Sequence, residues 1–122
     1  MANAIENSVQ SYIQAAHEPD GAKRRELLEA CFAEDGRLVS RSREFRGREA
    51  VLQMFERFFA DPEVVGVRML SAVDATGNTF RFRSAVEYRD GRLVEFFDAG
   101  ELDGRGRIRL ILTFAGPLAE AP

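Results

Sequence analysis

Several residue types are scarce in this sequence, and each scarcity narrows what the protein can be. Its 122 residues include one cysteine, one histidine and no tryptophan. The single Cys31 excludes an intramolecular disulfide. His17 has no companion residues at the spacing of a metal site, so the sequence predicts neither a bound metal nor another cofactor.

Long apolar runs and an excess of positive charge are also missing. No stretch approaches the ~20 apolar residues that cross a bilayer. Residues 1–6 show neither the basic region nor the apolar region of a signal peptide. The net charge is -3, whereas binding to phosphates needs a concentrated basic surface. We therefore expect a cytoplasmic protein with no nucleic acid or membrane partner.

The residues that are present are typical of one soluble globular domain. Hydrophobic residues make up 45 % of the sequence and charged residues 30 %, which is the ordinary balance of such domains. The length is sufficient to bury a core. Ten phenylalanines predict an aromatic-rich core or an aromatic-lined cavity.

Three helices are predicted in the first half of the chain. Apolar residues recur at helical spacing over residues 5–17. Asp20 is placed to cap a second helix, which we expect to end near residues 34–36. The third helix is predicted over residues 48–60, because Pro62 follows it and proline does not continue a helix.

The second half of the chain shows the alternation of period two that is typical of strands. Asp90-Gly91 is a hairpin dipeptide and predicts an antiparallel pair. The predicted strands are residues 37–41, 64–74, 79–89, 93–102 and 107–115. Strands joined by hairpins after a helical half indicate an α+β fold, in which a curved, largely antiparallel sheet carries the helices on one face.

One carboxylate interrupts the apolar face of the fourth of these strands. Alternation places Asp98 on the same face as Val94, Phe96, Gly100 and Leu102. A carboxylate on an apolar face costs free energy unless it is paired, hydrogen-bonded or protonated. Asp98 is therefore a candidate acid or base with a shifted pKa, and it indicates a pocket.

Three segments of the sequence resemble segments that occur in one fold family. FAEDGRLV at residues 32–39 resembles the start of its first strand, FRGREAV at residues 45–51 the start of its third helix, and FDAGELDGRGRI at residues 97–108 its penultimate hairpin. In this order they resemble the nuclear transport factor 2-like fold, and within it the SnoaL-like and ketosteroid isomerase-like proteins. The resemblance implies a cone-shaped roll with three helices on the concave face of the sheet. It implies one domain of residues 1–116 and a tail of residues 117–122.

The resemblance also implies roles for single residues. Ketosteroid isomerase uses an Asp base and an oxyanion hole made of a Tyr and a protonated Asp. Asp98 resembles that protonated Asp and Tyr12 resembles that Tyr, while Ser40 stands where the base is expected. SnoaL-like cyclases pair an Asp near this position with a His in the sheet, whereas the one histidine here is His17.

Two classes of function follow. In the first, Asp98 acts as an acid, base or oxyanion donor with Tyr12 on an apolar carbonyl or polyketide-like substrate, in chemistry of the isomerase or cyclase type. In the second, the cavity binds a small apolar ligand without turnover, because the Ser40 hydroxyl has no evident activating partner. Asp98 and Tyr12 then have structural roles. The predicted lining of the cavity is Leu38, Ser40, Phe55, Phe58, Phe80, Phe82, Ser84, Val86, Phe96 and Leu112.

Two groups of arginines complete the predictions. The first group either meets an anionic group on a ligand or forms a solvated hairpin, and its members are Arg37, Arg41, Arg43, Arg46 and Arg48. The second, Arg81 and Arg83, is predicted on the outer face of the sheet, where Glu87, Glu95 and Glu101 are available to pair with it. The resemblance implies that this outer face forms a homodimer interface.

Overall fold

The computed structural model describes residues 4–122, so residues 1–3 of the predicted domain lie outside the described part. Within residues 4–122 the chain forms three helices, α1 (Ala4–Ala15), α2 (Gly21–Cys31) and α3 (Arg48–Ala60). The strands of the same part are β1 (Phe32–Val39), β2 (Glu44–Arg46), β3 (Val64–Met69), β4 (Asp74–Thr76), β5 (Thr79–Tyr88), β6 (Leu93–Leu102) and β7 (Ile108–Ala115). None of these helices is long and apolar enough to cross a membrane.

The strands form one curved sheet in the order β2-β1-β7-β6-β5-β3, and β4 pairs with β5. β1 and β7 are parallel, and the other pairs within residues 4–122 are antiparallel. The core lies between the helices and the concave face, where Val9 and Tyr12 of α1 meet Phe55 of α3 and Phe82 of β5. The predicted α+β fold with a largely antiparallel sheet is confirmed.

The second helix is shorter than predicted. Asp20 caps it as expected, because its carboxylate accepts a hydrogen bond from the Lys23 amide at 3.1 Å. The helix ends at Cys31, however, and Phe32 already pairs with Ile108 in the sheet. Phe32 continues the apolar stripe of the helix and also fits a strand, so the long-range pairing with β7 decides its conformation.

The strand predicted over residues 64–74 is divided in two. Met69 pairs with Ser84 and Asp74 pairs with Arg81 of the same strand β5. The chain takes five steps from Met69 to Asp74, while β5 takes three steps between their partners. The surplus residues leave the sheet, and β3 and β4 therefore form separately.

A bulge in β7 reverses the alternation that the sequence predicts there. Glu101 and Leu102 are neighbours on β6, but their partners on β7 are Leu110 and Ile108. One extra residue, Arg109, therefore lies between those partners, which is the geometry of a β-bulge. After the bulge Ile111 is buried, and residues that follow it at even spacing face the concave side.

Candidate functional site

A cavity of about 230 Å³ lies between the concave face of the sheet and helices α1 and α3. Most of its lining is apolar: Ile13, Ala16, Leu38, Phe45, Met54, Phe55, Phe58, Val67, Val86 and Phe96. Four polar side chains, which we call the polar cluster, interrupt it: Tyr12, Ser84, Asp98 and Thr113. Ser40 lines it as well. We call five of the half-exposed lining residues the mouth: Ser40, Phe45, Met54, Phe58 and Phe96.

Asp98 is the centre of the polar cluster, and its carboxylate is poorly satisfied. The residue is only 5 % exposed. The Ser84 hydroxyl donates to its Oδ2 at 3.4 Å, which is long for a hydrogen bond between two oxygens. Its Oδ1 is buried and has no hydrogen-bond partner of good geometry within residues 4–122. An acceptor left in this state favours a ligand that supplies the missing donor.

Burial changes the acidity of this group. Desolvation raises the pKa of Asp98 from its ordinary 3.8 to about 6, and the nearby hydroxyls of Thr113 and Ser84 offset part of the rise. Thr113 is the partner of Asp98 on the neighbouring strand β7. The carboxyl group therefore reaches both its ionised and its protonated form near neutral pH, as a group that gives and takes protons must.

Tyr12 supplies a neutral hydroxyl to the same cavity. Its ring is 6 % exposed and packs against Phe55 with 5.5 Å between ring centroids. Burial raises the pKa of Tyr12 well above its usual value, and the charge of Asp98 raises it further. Within residues 4–122 no hydrogen bond joins the two side chains. The phenol remains protonated, and both groups are available to a ligand.

Ser40 and His17 do not supply the base or helper that the resemblance expects. Ser40 follows the end of β1, and its hydroxyl donates to the carbonyl of Arg43 at 3.1 Å. His17 is exposed outside the cavity, with Nδ1 lying 3.1 Å from the carbonyl oxygen of Val67. The carboxyl group of Asp98 is therefore the titratable acid of this cavity with a pKa near neutrality.

The comparisons with known proteins support the fold. A candidate isomerase of the SnoaL-like family from Agrobacterium tumefaciens superposes with a TM-score of 0.83 at 25 % identity, covering 93 % of this chain and 98 % of that one. The chain shares the fold of the SnoaL-like and nuclear transport factor 2-like proteins. A protein from Sinorhizobium meliloti described as a candidate polyketide cyclase has a TM-score of 0.71 at 18 % identity, covering 92 % and 99 % of the two chains.

A designed protein with a curved β-sheet shares the superfamily fold as well, with a TM-score of 0.75, 21 % identity and coverage of 96 % and 89 %. The fold alone therefore does not define an activity, which must be argued from the residues of the site. A scan against protein-family models gives no match. A search of curated proteins by sequence gives none either.

Most of the residues predicted for the site come together around the cavity. They are Tyr12, Leu38, Ser40, Phe55, Phe58, Ser84, Val86, Phe96 and Asp98. Three predicted lining residues, Phe80, Phe82 and Leu112, do not border it. Phe80 and Phe82 stack on each other in the core with 6.1 Å between centroids, and the β7 bulge turns Leu112 to the outer side.

Sequence reasoning missed six lining residues. Ile13 and Ala16 follow the apolar stripe of α1, and Met54 lies one turn from Phe58 on α3, so helical spacing could have found these three. Phe45 belongs to a strand of only three residues, and Thr113 faces the cavity because of a bulge. Local sequence patterns reveal neither feature. Val67 is the sixth. Within residues 4–122, no group of three His, Cys, Asp or Glu side chains is arranged to hold a metal ion.

Proposed function

We propose that this protein is a small acid–base enzyme that moves a proton on an apolar, polyketide-like carbonyl compound. The observation that carries the proposal is the Asp98 carboxylate, which lies buried in an apolar cavity with one oxygen unpartnered and the neutral Tyr12 hydroxyl beside it. The solved structures of a candidate isomerase and a candidate polyketide cyclase with the same fold support it.

In the proposed step the Asp98 carboxylate removes a proton from the carbon next to the carbonyl group. The electron pair of that C–H bond becomes a carbon–carbon double bond, the π pair of the carbonyl group moves to its oxygen, and the resulting enolate accepts a hydrogen bond from Tyr12. The carboxylic acid form of Asp98 then returns a proton to the same carbon or, in the dienolate of an enone, to the far carbon of the conjugated system. A pKa of about 6 suits both halves of this exchange near neutral pH.

The size of the cavity limits the substrate. Pockets for drug-sized ligands hold about 300–1,000 Å³, whereas this cavity holds about 230 Å³. The part of the substrate that enters it is therefore small, and a single carbocycle with one carbonyl group is the test compound of choice.

Hydrogen–deuterium exchange tests the proposed step without knowledge of the product. The protein is mixed with cyclohexanone or cyclohexenone in D₂O, and loss of the signal of the protons next to the carbonyl is followed by NMR. We expect exchange above the buffer rate, and Asp98→Asn should lower it by roughly 100-fold or more because an amide cannot take the proton.

Asp35→Asn is the matched control, because Asp35 is an exposed aspartate of β1 outside the cavity. It should exchange the ketone at the rate of the unsubstituted protein. Exchange at the buffer rate with the unsubstituted protein, or equal exchange by the Asp98→Asn variant, would contradict the proposal.

A second function, binding of a small apolar ligand without turnover, is favoured by one observation. At the position where the resemblance expects the base, the Ser40 hydroxyl is uncharged and donates a hydrogen bond to a carbonyl oxygen. Saturable chemical-shift changes with cyclohexanone, in the absence of deuterium exchange, would decide for this function.

We also propose that a second copy of the chain covers the outer face of the sheet. Phe97 and Phe114 are paired across β6 and β7 on that face, and they remain 39 % and 53 % exposed. Arg83 and Glu95 form an ion pair beside them with 2.7 Å between the charged atoms. Phe97→Glu should turn a dimer into a monomer in sedimentation equilibrium, and a wild-type monomer would refute the dimer.

A further inference from the structure

The mouth of the cavity lies beside the loop that joins β1 to β2. Ser40 begins this loop, and both its amide and its hydroxyl donate to the carbonyl of Arg43, which closes the turn. Phe45 follows in β2 and lines the cavity. The loop itself contains two charged side chains, Arg41 and Arg43, which are both exposed, and Glu44 follows as the first residue of β2.

The arginines of this region differ in their partners. Arg37 donates to Glu44 at 2.6 Å, and Arg46 pairs with the other oxygen of the same carboxylate. Arg48 donates to the carbonyl of Phe32 at 3.2 Å. Within residues 4–122 neither Arg41 nor Arg43 forms an ion pair. The predicted cluster thus divides into three arginines that contact a carboxylate or a carbonyl oxygen and two exposed arginines that have no ion-pair partner within residues 4–122.

A groove that shares lining residues with the cavity contains one of these two arginines. It holds about 390 Å³ and is lined by Arg41, by the end of β7, by Gly116 and by residues 117–119 of the tail. Ser40 and Thr113 line both the groove and the cavity, so the two spaces adjoin. The Arg43 guanidinium lies 5.5 Å from the centre of the Phe45 ring, which brings the second cation to the lining of the mouth.

The interior of the cavity is less favourable for an anionic group than the region of Arg41 and Arg43. None of its lining residues within residues 4–122 is Lys, Arg or His, and it contains the carboxylate of Asp98. An anionic group inside would lose its water and meet a like charge without a compensating cation. An anionic group at the mouth would keep part of its hydration and meet two arginines.

We propose that Arg41 and Arg43 form an anion subsite beside the mouth. The ligand is amphipathic: its apolar part fills the cavity, and a carboxylate, sulfate or phosphate ester at its other end lies in the groove. The inference shares with the proposed function the use of the cavity by an apolar group, and it does not depend on any proton transfer.

Calorimetric titration with 1-octanol and with octanoate at about pH 8, where the carboxylate is ionised, tests the subsite. Both compounds have eight carbon atoms in an unbranched chain, and octanoate carries the negative charge. In the double variant Arg41→Gln/Arg43→Gln we expect the affinity for octanoate to fall roughly fivefold, since exposed ion pairs are individually weak. The affinity for octanol should stay the same, which also shows that the variant is folded.

Arg105→Gln is the matched control, because Arg105 is an exposed arginine in the turn before β7, outside both the cavity and the groove. It should leave both affinities unchanged. The loss in the double variant should also shrink in about 1 M salt, where the Debye length is ~3 Å.

An equal affinity for octanoate in the double variant and the unsubstituted protein would overturn the subsite, and so would the absence of binding by either compound. The proposed function fails on a different readout. If the ketone exchanges no deuterium while the double variant still loses affinity for octanoate, proton transfer is refuted and the anion subsite stands.

Discussion

The polar cluster and the mouth border the same cavity, yet their polar groups have different chemical properties. Asp98 lies in the middle of the sheet, with β5 on one side and β7 on the other, and burial raises its pKa to about 6. Ser40 is half-exposed at the start of a loop, and its hydroxyl donates a hydrogen bond to a carbonyl oxygen. The difference shows that burial within the sheet, rather than position in a family pattern, brings the pKa of the Asp98 carboxyl group close to neutrality.

The largest effect that separates the two regions is expected in folding stability. The folded pKa of Asp98, about 6, is above the unfolded value of 3.8, so its favourable contribution is full below 3.8 and is lost as pH rises through 6. At about pH 8, Asp98→Asn should therefore raise the free energy of unfolding by about 2–3 kcal/mol. The gain should vanish at low pH.

Urea unfolding at about pH 8 and at a pH below the ordinary 3.8 measures this gain in the free energy of unfolding. Asp35→Asn, which alters an exposed carboxylate, should show no comparable dependence on pH. An Asp98→Asn variant that is no more stable than the unsubstituted protein at high pH would mean that the carboxylate is well solvated, and the contrast with the mouth would disappear.

Substitution of Tyr12, another member of the polar cluster, is expected to have a smaller effect, which is measured in the rate of deuterium exchange. Tyr12→Phe removes the hydroxyl and keeps the ring that packs against Phe55. Deuterium exchange of cyclohexanone should fall by roughly 10- to 100-fold, because a donor to an oxyanion acts mainly in the transition state. The affinity for the ketone should change much less. A change in affinity alone would give Tyr12 a binding role without a catalytic one.

The smallest expected effect is a shift in the pH midpoint of deuterium exchange, and it tests which face of β7 carries Thr113. Thr113→Val removes a hydroxyl that lowers the pKa of Asp98, so the pH midpoint of deuterium exchange should move upward. Leu112→Ala, one residue away on the other face, should leave the midpoint in place. The reverse result would mean that the bulge at Arg109 does not exist and that the alternation read from the sequence is correct.

The sequence was sufficient where the local pattern and the long-range pairing agree. The helix predicted over residues 48–60 is α3, because its apolar spacing and the following proline are local signals. Asp98 faces the concave side as predicted, since β6 keeps an unbroken register with β5 from Leu93 to Glu101. The alternation of a regularly paired strand is visible in the sequence.

The sequence was insufficient where the partner strand sets the geometry. Leu112 and Thr113 exchange faces because of a bulge that depends on the register between β6 and β7. Phe80 faces inward as expected, but its ring packs over Gly100, where an added Cβ would lie 2.8 Å away, and fills the core. Where a core closes and where a cavity begins is decided by packing, which no local pattern encodes.

The most direct test of the account is the titration of the Asp98 carboxyl group, followed by NMR in protein labelled with ¹³C. The Asp98→Asn variant assigns the signal by its absence. The account predicts a midpoint at about pH 6, the value that burial gives this group. A midpoint near the ordinary 3.8 would show that water reaches the carboxylate, and would contradict the claim that this cavity contains a proton-transferring group.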